Sequence, residues 1–160
     1  MNTEHQVQQY LYEHIPLSKA MEVRVLDASP QRVLLAAPLE PNINHRETVF
    51  GGSASAVAIL SAWTLIHLRL MAFEIHARLV IQRNVMNYEA PIESDFTAEC
   101  IFHETTAWDR FIHVLRRRNR ARITVHSVLE CGGNKVAAFE GDFVAIIQPS
   151  AVQPNQRYDA

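Results

Sequence analysis

Hydrophobic and polar positions change period several times along the chain, and each change marks an element. Near the start, Thr3 and Gln6 can form a capping box, and Val7, Tyr10 and Leu11 then mark one face of a short amphipathic helix. That helix should stop before Pro16, whose ring cannot continue it. Met21, Val23 and Val25 alternate with Glu22 and Arg24, a two-residue period that predicts a strand. The turn Ser29-Pro30-Gln31 leads to a second strand over Val33–Ala37, so the pair predicts a hairpin. From about Ser53 to Met71 the period disappears, because nearly every position is apolar. Such a segment is a helix buried on all sides.

Strand character returns afterwards. Residues 78–88 read as one strand, ended by Ala90-Pro91. Phe96, Ala98, Cys100 and Phe102 alternate with Thr97 and Glu99. Trp108, Phe111, Ile112 and Leu115 then fall on one face of a small helix, with Thr106 as its cap. Ala121, Ile123, Val125, Ser127 and Leu129 alternate with charged and polar partners, the cleanest two-residue period in the chain. Cys131-Gly132-Gly133-Asn134 is a hairpin turn, and residues 136–147 form the last strand. Residues 1–147 therefore read as a single α+β domain and 148–160 as a flexible tail with two prolines. About six antiparallel strands and one long helix suit one arrangement: a curved sheet wrapped round the helix, with sheet edges left to pair in a dimer.

Composition narrows the function. The 15 basic and 17 acidic residues nearly balance, which excludes the basic bias of a nucleic-acid binder. Cys100 and Cys131 have no metal-ligand spacing and read as reduced thiols, so no metal and no cofactor is expected. The first residues lack a basic and then apolar leader, and the chain is read as cytoplasmic. The long apolar segment is long enough to span a bilayer. His67 and Arg69 within it, and the strands that follow, argue instead for a core helix and no membrane span.

Candidate chemistry gathers where the polar loop meets that helix. The loop Pro41–Phe50 ends in Gly51-Gly52-Ser53. Two glycines at a helix start let a ligand come close to the backbone. The first N–H groups of a helix lack internal partners and sit at its positive end. Such a turn can hold a carbonyl oxygen that becomes negative during acyl transfer. Ser53 can either cap the helix or bond the oxyanion, and Thr48 can hydrogen-bond within the loop. His45 is the loop imidazole, a group that titrates near neutral pH. Ser55 can line a pocket or bond back to its own helix. Asn84 lies on the third strand and adds a polar group that can face the helix. The run Arg116-Arg117-Arg118-Asn119-Arg120 is either a solvated helix end or a docking patch for phosphates or an acidic protein.

The predicted arrangement resembles the hotdog fold over about residues 16–147. Within that fold, Asn42-x-Asn44-x-x-x-Thr48-x-Phe50-Gly51-Gly52-Ser53, Tyr88-x-x-Pro91 and Trp108-x-x-Phe111-x-x-x-Leu115 resemble the thioesterase family typified by the C-terminal domain of YiiD. The resemblance implies a homodimer or dimer of dimers that binds an acyl-CoA or acyl-carrier-protein thioester between subunits, near the start of the central helix. It implies that Gly52 and Ser53 offer N–H groups to the thioester carbonyl, flanked by Phe50, Gly51 and Thr48. It also implies that Asn42 and Asn44 shape the loop or hold the attacking water. The chain departs from many hotdog thioesterases in two ways. Phe50 stands where they carry His, and Ile59 stands seven residues after Gly52 where they carry an acid. No Asp or Glu lies between Gly51 and Met71, so water must be activated by another group, and His45 is the choice. The departure leaves three expectations: acyl-thioester hydrolysis, non-hydrolytic acyl-thioester binding, or another fatty-acid reaction on the same fold, such as dehydration or condensation.

Overall fold

The computed structural model describes residues 3–103 and 105–148. Residue 104, and the expected tail from 149 on, lie outside the described residues.

The first helix, α1 (Glu4–His14), opens with the expected capping box: the Thr3 side chain accepts from Gln6 N–H, and Gln6 answers at the Thr3 backbone. Pro16 ends α1 but also begins a five-residue helix, α2 (Pro16–Ala20). Proline suits the first helical position, where its missing N–H would be free anyway. The first strand is consequently later than its hydrophobic alternation suggested. Glu22 turns the chain at φ 54°, and β1 runs over Arg24–Ala28. It pairs antiparallel with β2 (Arg32–Ala37) as the predicted hairpin.

A single 3₁₀ turn at Glu40–Asn42 precedes the loop, and α3 (Gly51–Ala72) then runs for 22 residues. Its weak amphipathicity is explained by its surroundings. It packs against β2, β3 (Arg78–Tyr88), β4 (Phe96–Ile101), β5 (Arg120–Cys131) and β6 (Asn134–Ile146). Ala54, Val57, Ala58, Leu65 and Ile66 are fully buried against that wall. α3 is long and apolar enough to cross a membrane, but its burial in the sheet accounts for the composition.

The six strands form one antiparallel sheet in the order β1-β2-β4-β5-β6-β3. This is the hotdog fold, a curved sheet wrapped round a central helix. The β5–β6 turn uses Gly132 (φ 59°) and Gly133 (φ 78°), the two left-handed positions that a tight hairpin requires. The insertion helix α4 (Thr105–Arg118) packs on β5 through buried Trp108, Phe111, Ile112 and Leu115. Thr106 lies inside α4, which begins one residue before the expected cap. Asn119 closes α4 in the left-handed region, at φ 55°. The 11-residue β3 is one edge of the sheet, and the five-residue β1 is the other.

Candidate active site at the start of the central helix

The loop before α3 is held by side chains that return to its own backbone. Asn42 is buried, and its Nδ2 donates to the carbonyls of Met21 (3.0 Å) and Pro38 (2.8 Å). The Asn42 carbonyl accepts from Phe50 N–H at 2.7 Å and fixes the last residue before the helix. Asn44 folds the loop tip: its Oδ1 accepts from Arg46 N–H (2.7 Å) and its Nδ2 donates to Thr48 Oγ1 (3.0 Å). Backbone bonds between Asn44 and Thr48 and a bridge between Ile43 and Val49 complete the excursion, with Glu47 at φ 61°. Of the two roles the sequence left open for these asparagines, loop shaping is the one their hydrogen bonds serve. Thr48 acts with them. His45 is exposed at the tip, where Arg46 Nε meets its Nε2 at 3.3 Å.

α3 begins at Gly51, one turn earlier than a Ser53 cap would require. Phe50 is the N-cap and supplies no side-chain bond, and Ser53 occupies the third helical position. The first intrahelical bond is Ala54 N–H to the Phe50 carbonyl, at 3.1 Å. Among the described residues, no acceptor meets the N–H groups of Gly51, Gly52 and Ser53. Three donors at the positive end of a 22-residue helix are thus free to bind one oxygen. The glycines keep them open. A Cβ on Gly51 would stand 3.2 Å from the Tyr88 hydroxyl, and one on Gly52 would run into the Phe50 ring. Phe50 is 57% exposed and forms an apolar lip beside these donors. Ser55, half-buried, sits a turn inside the helix.

A cavity of about 440 Å³ opens beside the helix start, lined by Thr48, Gly51, Ala54, Tyr88 and Glu89 among others. Tyr88 and Glu89 were not identified as site residues from sequence. Tyr88 donates its hydroxyl to the Gly51 carbonyl at 2.6 Å, and partial burial raises the pKa of that phenol, so it stays a donor. Glu89 brings a carboxylate to the cavity wall and pairs with Lys135 at 2.7 Å. The signal that could have found them is topological. A strand that leaves the end of α3 and runs antiparallel beside it must deliver its last residues to the helix start.

Two other expected groups lie elsewhere. Asn84 is exposed in mid-β3, opposite Gly141 on β6. Arg116 and Arg117 are exposed in the last turn of α4 and line an open groove of about 510 Å³ with Phe73 and His113. Phe73 caps the far end of α3, so the length of that 22-residue helix, about 33 Å, separates this groove from Gly51 within one protomer. Among the described residues, no group of three His, Cys, Asp or Glu is assembled to hold a metal.

A curved sheet around one helix, with free backbone donors and a cavity at that helix's start, defines a protein of the hotdog fold. The chain belongs to the family described as "Putative thioesterase (yiiD_Cterm)", whose model matches residues 4–147. Solved structures agree in fold. A protein of unknown function from Chlorobaculum tepidum matches with a TM-score of 0.86 at 24% identity, over 91% of this chain and 94% of its own. A protein described as a putative thioesterase from Shewanella oneidensis matches with a TM-score of 0.79 at 25% identity, over 89% and 96%. A third from Pseudomonas aeruginosa, described as a probable thioesterase, gives 0.77 at 18% identity, over 92% and 99%.

Proposed function

We propose that this thioesterase-family chain hydrolyses acyl thioesters of CoA or acyl-carrier protein in the cytoplasm, as a homodimer or dimer of dimers. The observation that carries the reading is the unpaired N–H trio of Gly51, Gly52 and Ser53 beside a cavity. A thioester carbonyl placed there gains hydrogen bonds as its oxygen becomes negative, and the helix dipole adds to them. The 11-residue β3 edge offers unpaired backbone for a second copy, beside the same cavity. An antiparallel partner is also the means of bringing Arg116 and Arg117 towards a thioester site, since within one protomer they lie at the other end of α3. There they would meet the phosphates of CoA or an acidic carrier.

Water must lose a proton as it attacks. His45 is the proposed base: it is exposed, so it can exchange protons with solvent, and Asn44 holds its loop in shape. A second reading assigns the base to Glu89, because its carboxylate lines the cavity that Gly51 also lines. The experiment compares His45→Gln, Glu89→Gln and wild type on a panel of acyl-CoA and acyl-carrier substrates, with free-thiol release as the signal. Loss of a general base costs about 100- to 10,000-fold. With His45 as base, the acid limb of the wild-type pH–rate profile is absent from His45→Gln. Equal rates and profiles in wild type and His45→Gln, with loss in Glu89→Gln, would move the base to Glu89. Binding without thiol release on any substrate would make the chain a thioester binder.

A further inference from the structure

Each free donor at the start of α3 belongs to a peptide group, and whatever binds the carbonyl of that group changes the donor. The N–H of Gly52 shares its peptide with the carbonyl of Gly51. That carbonyl accepts the Tyr88 hydroxyl at 2.6 Å. In α-helical geometry it also accepts from Ser55 N–H, and a carbonyl oxygen has lone pairs for both. Hydrogen bonds in a chain polarise one another. A second donor on the carbonyl draws electron density from the amide nitrogen, so the Gly52 hydrogen becomes more positive. The neighbouring carbonyls of Phe50 and Gly52 receive no such side-chain donor among the described residues.

The phenol is held from both sides. Tyr88 pairs with Ala137 across β3 and β6, and the N–H groups of Glu89 and Ala90 both donate to the Val136 carbonyl, at 2.8 and 3.1 Å. The chain then turns through Pro91, and the Ile92 carbonyl accepts from Val49 N–H at 2.8 Å. That bond ties the end of β3 to the loop before α3. Gly51 supplies the room, since a Cβ there would stand 3.2 Å from the hydroxyl and 3.4 Å from the ring carbon that bears it. Partial burial raises the pKa of the phenol, so its proton stays on. Glu89 is the charged group on the same cavity wall, and it pairs with Lys135 rather than with the phenol.

We infer that Tyr88 is a positioning residue for thioester hydrolysis: its hydroxyl orients and polarises the Gly51–Gly52 peptide and makes the Gly52 N–H the strongest of the three oxyanion donors. In this role Tyr88 acts through the peptide and not on the substrate carbonyl. The inference rests on the oxyanion placement proposed above and singles out one donor within it. It also couples that donor to the edge strand, whose last residue is Tyr88.

The chain has five glycines, so labelling with [15N]glycine gives a readable spectrum that needs no turnover. An amide nitrogen shift responds to hydrogen bonding at the carbonyl of its own peptide. Tyr88→Phe keeps the ring and removes the donor, so the Gly52 nitrogen should move upfield. Gly132 and Gly133, in the β5–β6 turn, should stay where they are. 3-Fluorotyrosine at position 88 carries a more acidic hydroxyl and should move the Gly52 signal the other way. In thiol-release kinetics, Tyr88→Phe should lower kcat about 2- to 10-fold, as for loss of one neutral hydrogen bond. KM should change little, because an interaction that strengthens only in the transition state acts on kcat. A Gly52 nitrogen unmoved in both variants would overturn the inference. So would wild-type kcat in Tyr88→Phe beside an inactive Gly52→Val protein, a result that leaves the helix start as the thioester site. A rise in KM alone would make Tyr88 a lining residue of the cavity and remove its positioning role. Wild-type turnover in both Tyr88→Phe and Gly52→Val, or no thiol release from wild type on any substrate, would remove the oxyanion placement and the inference with it.

Discussion

Gly52→Ala separates the stability of the helix start from its proposed chemistry, because the first should barely change while the second falls. Alanine is a better helix residue than glycine by up to about 1 kcal/mol in a helix interior, and by less in a first turn. Against that gain, the new methyl would stand within 3.0 Å of three Phe50 ring atoms. Phe50 is 57% exposed, so its ring can swing into solvent for the loss of part of its contacts. The net change in stability should therefore stay within about 1 kcal/mol, a shift of about 2–4 °C in melting temperature for a chain of this size. Chemistry is less tolerant. A Cα–Cβ bond on a helix tilts towards the N-terminus, so the methyl and the displaced ring enter the space in front of the free N–H groups. Losing one donor to a developing oxyanion costs about 100- to 1000-fold in kcat, or about 2.7–4 kcal/mol of transition-state stabilisation. The assay is thermal unfolding beside thiol-release kinetics on one preparation. A folded Gly52→Ala protein with wild-type turnover would refute the placement of the oxyanion at this turn.

Trp108 and the Arg83–Glu140 contact provide two tests away from the site. Trp108 is 1% exposed between Phe102, Phe111 and Phe73, and among the described residues its indole N–H has no partner. Trp108→Ala should cost about 3–5 kcal/mol in urea unfolding, and Trp108→Phe should cost clearly less, because it keeps a ring and removes the unpaired donor; equal costs would mean that the α4 insertion is not packed as described. Hydrogen bonds from Arg83 (2.8 Å), and secondarily from His126, lower the pKa of Glu140. A carboxylate with a depressed folded pKa contributes stability above its ordinary value, and that contribution is lost as pH falls through the folded value. The melting-temperature gap between wild type and Arg83→Gln should hold above about pH 5 and close as the solution is acidified, and it should shrink in 1 M salt because the pair is exposed. A gap independent of pH and salt would leave the pair without an electrostatic role.

The fold was legible wherever a two-residue or all-apolar pattern ran for long enough. β3 was expected at its observed bounds, and α3, β5 and β6 within two residues of theirs. Each presents a continuous face to one core, so burial writes a regular pattern into the sequence. The errors lie where a local backbone choice overrides that pattern. Met21 and Val23 alternate like a strand and are buried like one, but Met21 ends α2 and Glu22 takes a positive φ, which delays β1 to Arg24. Pro16 was read as a stop, and the same ring that stops α1 suits the first position of α2.

The site was legible by half for a related reason. The loop and the glycines are contiguous, so the free donors at the start of α3 could be anticipated from residues 42–53 alone. The groups facing them are not contiguous. Tyr88 reaches Gly51, and Glu89 the cavity beside it, because β3 travels back beside α3, a placement fixed by strand order rather than by motif. Within one protomer the same geometry puts Arg116 and Arg117 the length of the helix away from Gly51, and the sequence left them as either a docking patch or a solvated helix end. A helix start without its own carboxylate therefore has two sources for a proton acceptor, its loop through His45 or its edge strand through Glu89. The edge strand is also the surface left to pair with a second copy. If pairing does complete the site, any change that breaks the β3 edge must remove hydrolysis together with the dimer, and a monomer that still turned over thioester would show that one chain holds all the chemistry.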